Sequence, residues 1–203
     1  MQAARGTPVG EDSGRPDSEQ APEVARRGRR GPWLLFVLVA AAMYGADQLT
    51  KYLAVEHLDG APDKPLIGEL LQLRLTYNPG AAFSLGTDLT VAITCLAVVA
   101  TVTVLVISLR LRDRVWAVAL GLLLAGIAGN LTDRLLREPQ AFHGHVVDFL
   151  MLPNWPIFNV ADICINLGAA LVLVQVFRGV GLDGSRATGD EALDARRDED
   201  PKQ

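Results

Sequence analysis

The chain is poor in the residues that brace or metallate a soluble domain. Its 2 cysteines, Cys95 and Cys164, each fall inside an apolar run, so they read as packing residues and are assigned no role. Its 3 histidines never take the His-Glu-x-x-His spacing of a zinc peptidase. Between residues 32 and 177 there is no Gly-rich phosphate loop, internal repeat or low-complexity run, and no basic patch for nucleic acid emerges. The formal net charge of -4 says little about partners, because much of the charge sits in polar tails. No metal, cofactor or nucleic acid is expected.

What is present is apolar sequence, 50% of the chain, gathered in long blocks. Four of them, Pro32 to Leu53, Leu89 to Leu109, Val115 to Leu136 and Pro156 to Phe177, approach the ~20 residues an apolar helix needs to cross ~30 Å of hydrocarbon. The expected fold is therefore mainly α, a polytopic membrane protein with residues 32–177 as its membrane domain. Residues 1–31 and 178–203 are rich in Gly, Pro, Ser, Asp, Glu and Arg and are expected to be disordered cytoplasmic tails. Arg26, Arg27, Arg29 and Arg30 ahead of the first block also fit a secretory leader. The small residues Ala40 to Ala42 come too early in the run for that, and a polar face with Asp47, Gln48 and Lys51 follows, so the block is read as a retained span.

Short loops rich in Lys and Arg stay on the cytoplasmic side. Arg26 to Arg30, then Arg110, Arg112 and Arg114, then Arg178 all fall on one side of a four-span topology, which predicts cytoplasmic termini and external segments at 54–88 and 137–155. At 1.5 Å per residue, Asp47 lies roughly 22 Å and Asp133 roughly 27 Å from the inner ends of their spans. Asn159 and Asp162, early in the inward fourth span, and Asp148 in the loop before it belong to the same outer level. Leu71, Leu73 and Leu75 alternate with Gln72, Arg74 and Thr76, the period of a strand, so the external segment is expected to hold a small sheet on the membrane surface.

Carboxylates inside a span cost ~2.5 to 3.5 kcal/mol at its centre, which makes each a candidate for function. Near the interface a single one is more safely read as solvated or paired, so grouping must carry the argument. Asn159, Asp162 and Asn166 share a face of the fourth span, and Asn130 and Asp133 share one on the third. Asp47 and Lys51 read as a local ion pair, and Arg134 can neutralise its neighbour Asp133 and hold a loop or substrate carbonyl, so Asp133 and Arg134 read as supporting structure. Asp148 and Asp162 are left without an obvious cation. Two such carboxylates, brought close, share a proton and can activate water, the condition an aspartic hydrolase needs.

Five blocks then carry a family resemblance: Asp47-Gln48-Leu49-Thr50-Lys51, Asn78-Pro79-Gly80-Ala81-Ala82-Phe83-Ser84, Gly129-Asn130-Leu131-Thr132-Asp133-Arg134, His145-Val146-Val147-Asp148-Phe149 and Phe158-Asn159-Val160-Ala161-Asp162. In this order they resemble lipoprotein signal peptidase, also called signal peptidase II. The resemblance implies four transmembrane helices with an external β-cradle in the bacterial inner membrane, the site lying near the outer leaflet. It implies an Asp dyad, Asp148 and Asp162, that cleaves before the lipid-modified Cys of a diacylglyceryl prolipoprotein. Asn78, Gly80, Asn130, Arg134 and Asn159 match positions that support the site or contact substrate and the cyclic-peptide inhibitor globomycin; Asp47, Lys51 and Asp133 match with a more structural role. Membrane lipid is the other partner, and a monomer is expected. The connection Leu136 to Gly144 looks longer than usual for the family.

Three other readings compete. A proton-coupled transporter or channel subunit would also use intramembrane Asp and Asn, but such sites lie near the midplane with repeat symmetry. A metallopeptidase could use His143, His145 and Asp148 as ligands. A scaffold without catalysis would be indifferent to neutralising Asp148 and Asp162.

Overall fold

The computed structural model describes residues 21–80 and 88–186. In chain order they form α1 (Ala21–Leu58), β1 (Lys64–Ile67), β2 (Leu71–Asn78), α2 (Asp88–Ser108), α3 (Arg114–Leu136), β3 (Val146–Met151) and α4 (Val160–Phe177). Four stretches, Gly31–Leu58, Thr90–Ser108, Arg114–Leu136 and Val160–Phe177, are long and apolar enough to cross a membrane. Large apolar side chains such as Leu96, Val99, Leu173 and Phe177 are left exposed on α2 and α4, as hydrocarbon-facing helices require.

α3 is the central helix, because small residues let its neighbours come close. A Cβ on Gly126 would run into the Ala161 carbonyl and meet Ile165 Cγ1 at 2.7 Å; one on Gly121 would lie 3.0 Å from the Phe36 carbonyl, and one on Gly129 2.5 Å from Asp47 Oδ2. α1 and α4 are thus both held close against α3, and meet each other where Asp47 accepts from the Ala161 amide. Phe36, Val104, Leu111, Trp116 and Leu120 fill the end of the bundle near the Arg-rich turn. At the other end, Ala54 and Leu58 of α1 pack with Val147 and Phe149 of β3, which seats a three-stranded antiparallel sheet, order β1-β2-β3, on the bundle.

The boundaries differ from expectation at three places. α4 begins at Val160, because Asn159 caps it, and Pro156 to Phe158 lie outside the helix. Described structure extends into both segments read as tails. α1 already starts at Ala21, and past α4 the chain folds back on the α2–α3 turn, where Trp116 Nε1 donates to Val180 O (2.9 Å) and the Arg112 amide to Leu182 O (2.9 Å). Buried backbone needs partners, and the turn supplies them. The remaining tail residues, like Ala81 to Ser84 of the second block, lie outside the described residues.

Packing at Gly126 predicts that Gly126→Ala lowers the thermal midpoint in detergent, at a cost of about 1–3 kcal/mol for overpacking. Gly45, whose Cβ would meet nothing within 4 Å, is the control. Gly45→Ala should hold or raise the midpoint; equal behaviour of the two variants would contradict the close approach.

Candidate active site

Five elements meet at the sheet end of the bundle and bring nearly every expected polar residue together. Lys51 is fully buried, and its ammonium lies 2.9 Å from Asp47 Oδ2, 2.8 Å from Asp133 Oδ2 and 3.0 Å from Asn130 Oδ1. One cation on α1 therefore satisfies two carboxylates and orients an amide on α3. Asp47 also accepts from the Ala161 amide (2.8 Å) at the start of α4, and Asp133 from the Val147 amide (3.2 Å) in β3. The local ion pair expected at Asp47 and Lys51 is present, but it belongs to a junction that ties together α1, α3, α4 and the sheet.

Asp133 is not neutralised by Arg134, contrary to the sequence reading. Adjacent residues point to different faces of a helix. Arg137, one turn on, donates Nε to Asp133 Oδ1 (2.7 Å). Arg134 instead donates Nη1 to Asn130 O (3.3 Å), while its buried Nε has no hydrogen-bond partner among the described residues. The i, i+4 spacing of Asp133 and Arg137 was a signal for the true pair. Gln48, read from sequence only as part of the polar face, bonds Asp47 (3.0 Å) and Gly129 O (3.3 Å).

Asn130 passes this order outward. Its Nδ2 donates to Asp162 Oδ1 (2.8 Å), and its Oδ1 also accepts from Asn159 Nδ2 (3.1 Å). Asn159 Nδ2 in turn lies 2.6 Å from Asp148 Oδ1, so Asp148 and Asp162 are joined through two asparagines. Asn159 is not one turn up the same helical face, as expected, but the N-cap of α4. Its Oδ1 accepts from the Asp162 amide (3.0 Å) while Asp162 Oδ2 accepts from the Asn159 amide (3.2 Å), a capping box. Asp148 lies in β3 rather than in a loop, opposite Thr76 of β2, and its other oxygen accepts from Asn78 Nδ2 (2.9 Å). Asn78 is held in turn by the Gly80 amide (2.9 Å), in a backbone with φ of 112° that suits glycine. The Leu136–Gly144 connection folds back on α3, with the Gly144 amide on Arg134 O (3.1 Å).

Among the described residues neither Asp148 nor Asp162 forms an ion pair. Asp148 is 2% exposed, and that burial pushes its pKa up to about 6; bonds from Asn78 and Asn159 and the more distant Lys51 oppose the rise, and Asp162 adds to it. Both carboxylates line a cavity of about 670 Å³ that also takes in Asn78, Trp155, Phe158, Ile163 and Leu167. Such a site can hold one proton between two acids against a mostly apolar wall. Asn166, expected on the same face, lines the cavity but turns its amide to Asp162 O (2.8 Å). The described residues contain no group of three His, Cys, Asp or Glu side chains placed to hold a metal ion.

The Lys51 junction predicts a large loss on removing the cation. Lys51→Met strands the buried Asp47 carboxylate and leaves Asp133 with Arg137 alone, and should cost about 3–5 kcal/mol in thermal or denaturant unfolding. Adding Asp47→Asn, which neutralises the carboxylate left without a cation, should recover part of it. An unchanged midpoint in the single variant would show that the junction does not hold the bundle.

Comparison with known proteins agrees with this architecture. The family described as Peptidase_A8, Signal peptidase (SPase) II, matches residues 39–178. The chain is 43% identical to the lipoprotein signal peptidase of Rhodococcus jostii (strain RHA1), over 84% of this chain and 85% of that one. It is 41% identical to that of Mycobacterium avium (strain 104), over 79% of this chain and 89% of its relative. A bacterial membrane enzyme whose structure was obtained by the in meso method at 1.9 Å resolution superposes with a TM-score of 0.62 at 25% identity, covering 70% of this chain and 91% of the other. A second, at 2.3 Å resolution, shares the fold with a TM-score of 0.59 at 22% identity, over 83% of this chain and 93% of its counterpart. A multi-pass helical protein with this sequence kinship is a member of the signal peptidase II, or lipoprotein signal peptidase, family.

Proposed function

We propose that the chain is an aspartic endopeptidase that cuts diacylglyceryl-modified prolipoproteins before the lipidated Cys, with Asp148 and Asp162 as its catalytic pair. The observation that carries this reading is the pair itself: two carboxylates linked through Asn159 and Asn130, unpaired with any cation among the described residues and open to one cavity. Every other acid in the network has a Lys or Arg partner.

The two environments divide the labour. Asp148, the more deeply buried, keeps its proton up to about pH 6 and hydrogen-bonds the oxygen of the scissile carbonyl. Asp162, partly exposed at the cavity, takes a proton from water as the water oxygen attacks the carbonyl carbon. The tetrahedral intermediate then collapses, the C–N bond breaks, and the proton on Asp162 passes to the leaving amine. Asn78, which lines the cavity, would hold substrate, Arg134 would support the site from beside Asn130, and a globomycin-type inhibitor would occupy the same cavity. Asp47, Lys51 and Asp133 stay structural.

A lipidated Cys keeps the scissile bond near a membrane surface, which suits a site at one end of four spans. In this reading that end is external, both termini are cytoplasmic, residues 32–177 are the working domain, and the protein acts as a monomer in the bacterial cell membrane. The arginines at the opposite end, Arg110, Arg112, Arg114 and Arg178, support that orientation. The polar residues gather at one end and not at a midplane, which favours hydrolysis over transport.

Purified protein in lipid should cleave a prolipoprotein bearing diacylglyceryl and leave the unmodified form intact. Asp148→Asn and Asp162→Asn should each lower the rate at least about a hundredfold, the lower range for losing an acid or base, with the unfolding midpoint retained. Cleavage at the original rate by either variant would remove the dyad.

The pH profile follows from the sign of the shift at Asp148. Burial raises its pKa, so the protonated form is present below about pH 6 and is lost above it. kcat/KM, which reports the free enzyme, should therefore fall along an alkaline limb with its midpoint near this value. A rate constant from about pH 5 to pH 9 would refute the assignment of Asp148 as the acid.

A further inference from the structure

The cavity at the dyad does not end there. Trp155, Pro156 and Ile157, which form one of its walls, also line a second cavity of about 610 Å³. β2 runs past both: Thr76 to Asn78 line the first, and Gln72 and Arg74 line the second. The pairing of β2 with β3 shifts register between Leu73 and Thr76, at the junction, where a bulge re-aims side chains. From Asn78 to Gln72 the strand rises roughly 20 Å, the reach of an extended segment of about six residues.

The two cavities differ in what surrounds them. The first takes in Ile163 and Leu167, which descend along a membrane span. The second contains no residue of any span; Glu69, Gln72, Arg74 and Asn154 supply its polar groups. Asn154 holds a left-handed backbone, φ of 57°, and Trp155 beside it, at the shared rim, is 65% exposed. Arg74 is already paired with Asp63, so its charge is met within the protein.

We propose that the second cavity is a subsite for the polypeptide that follows the modified Cys. This rests on the peptidase reading above. The apolar signal segment and the acyl chains belong on the side of Ile163 and Leu167, and the part of the substrate that leaves the membrane surface must exit by the other. There it meets polar side chains and an exposed indole with no uncompensated cation. With Arg74 paired and Glu69 in no ion pair among the described residues, the subsite favours an extended, polar segment that is not acidic.

The test compares two diacylglyceryl lipopeptides in lipid with the full-length protein, one ending at the modified Cys and one continued by six polar residues. The extended substrate should show a KM about tenfold lower with similar kcat, a gain within reach of a few ordered contacts. In Gln72→Trp, which fills the second cavity, the two KM values should converge; Glu69→Trp, at an exposed turn, is a second filling variant. Equal KM values in the unaltered protein, or a difference that survives both variants, would overturn the subsite while leaving the peptidase reading standing. Failure to cut either lipopeptide would overturn that reading and the subsite with it.

Discussion

Everything at the sheet end of the molecule hangs on an ammonium group that water does not reach. Desolvating a charge costs several kcal/mol, and the cost is met only if its partners are close and complete. Lys51 reaches two carboxylates and one amide oxygen within 3.0 Å, and each of those partners is itself bonded to another element. Asp47 reaches the first turn of α4, Asp133 reaches β3, and Asn130 reaches Asp162 and Asn159. The positive charge is consumed in assembling the scaffold. It leaves Asp148 and Asp162 with amide donors, which fix their positions without neutralising them.

The small residues of α3 make this possible. With Gly129 a Cβ lighter, Asp47 can lie against the α3 backbone, and with Gly126 bare, the Ala161 carbonyl can do so from α4. The close approach brings the junction and the N-cap of α4 within reach of single side chains. The sheet completes it from above, because Val147 and Phe149 are buried against α1 while Asp148, between them, turns away toward Asn78 and Asn159.

The four helices were readable from run length alone, since hydrocarbon demands nearly continuous apolar sequence. β2 was readable from alternation. β3 was less so: Val146 to Met151 is apolar at every position but one, a pattern that does not distinguish strand from loop beside a membrane. The grouping of Asn130, Asp133, Asn159 and Asp162 followed from helical spacing and depth. The partnerships within it did not, because a sequence records which face a residue occupies but not which of two arginines a carboxylate meets. Arg134 was assigned the pair that Arg137 makes. Nor could spacing distinguish Asn159 as a cap from Asn159 as a helical residue, since the two differ by a single position at the boundary.

The hydrogen bond from the Ala161 amide to Asp47 spans 114 positions of sequence, and the elements it joins are the first helix and the last. A bacterial membrane protein of this kind is built span by span, and the carboxylate on α4 and the asparagine that caps it arrive at the very end. Until they do, the earlier elements hold Asp148 in β3 and Asn130 on α3, one carboxylate and half of the amide bridge. In an order of insertion that follows the chain, the amide bridge between Asp148 and Asp162 cannot close before α4 is in place.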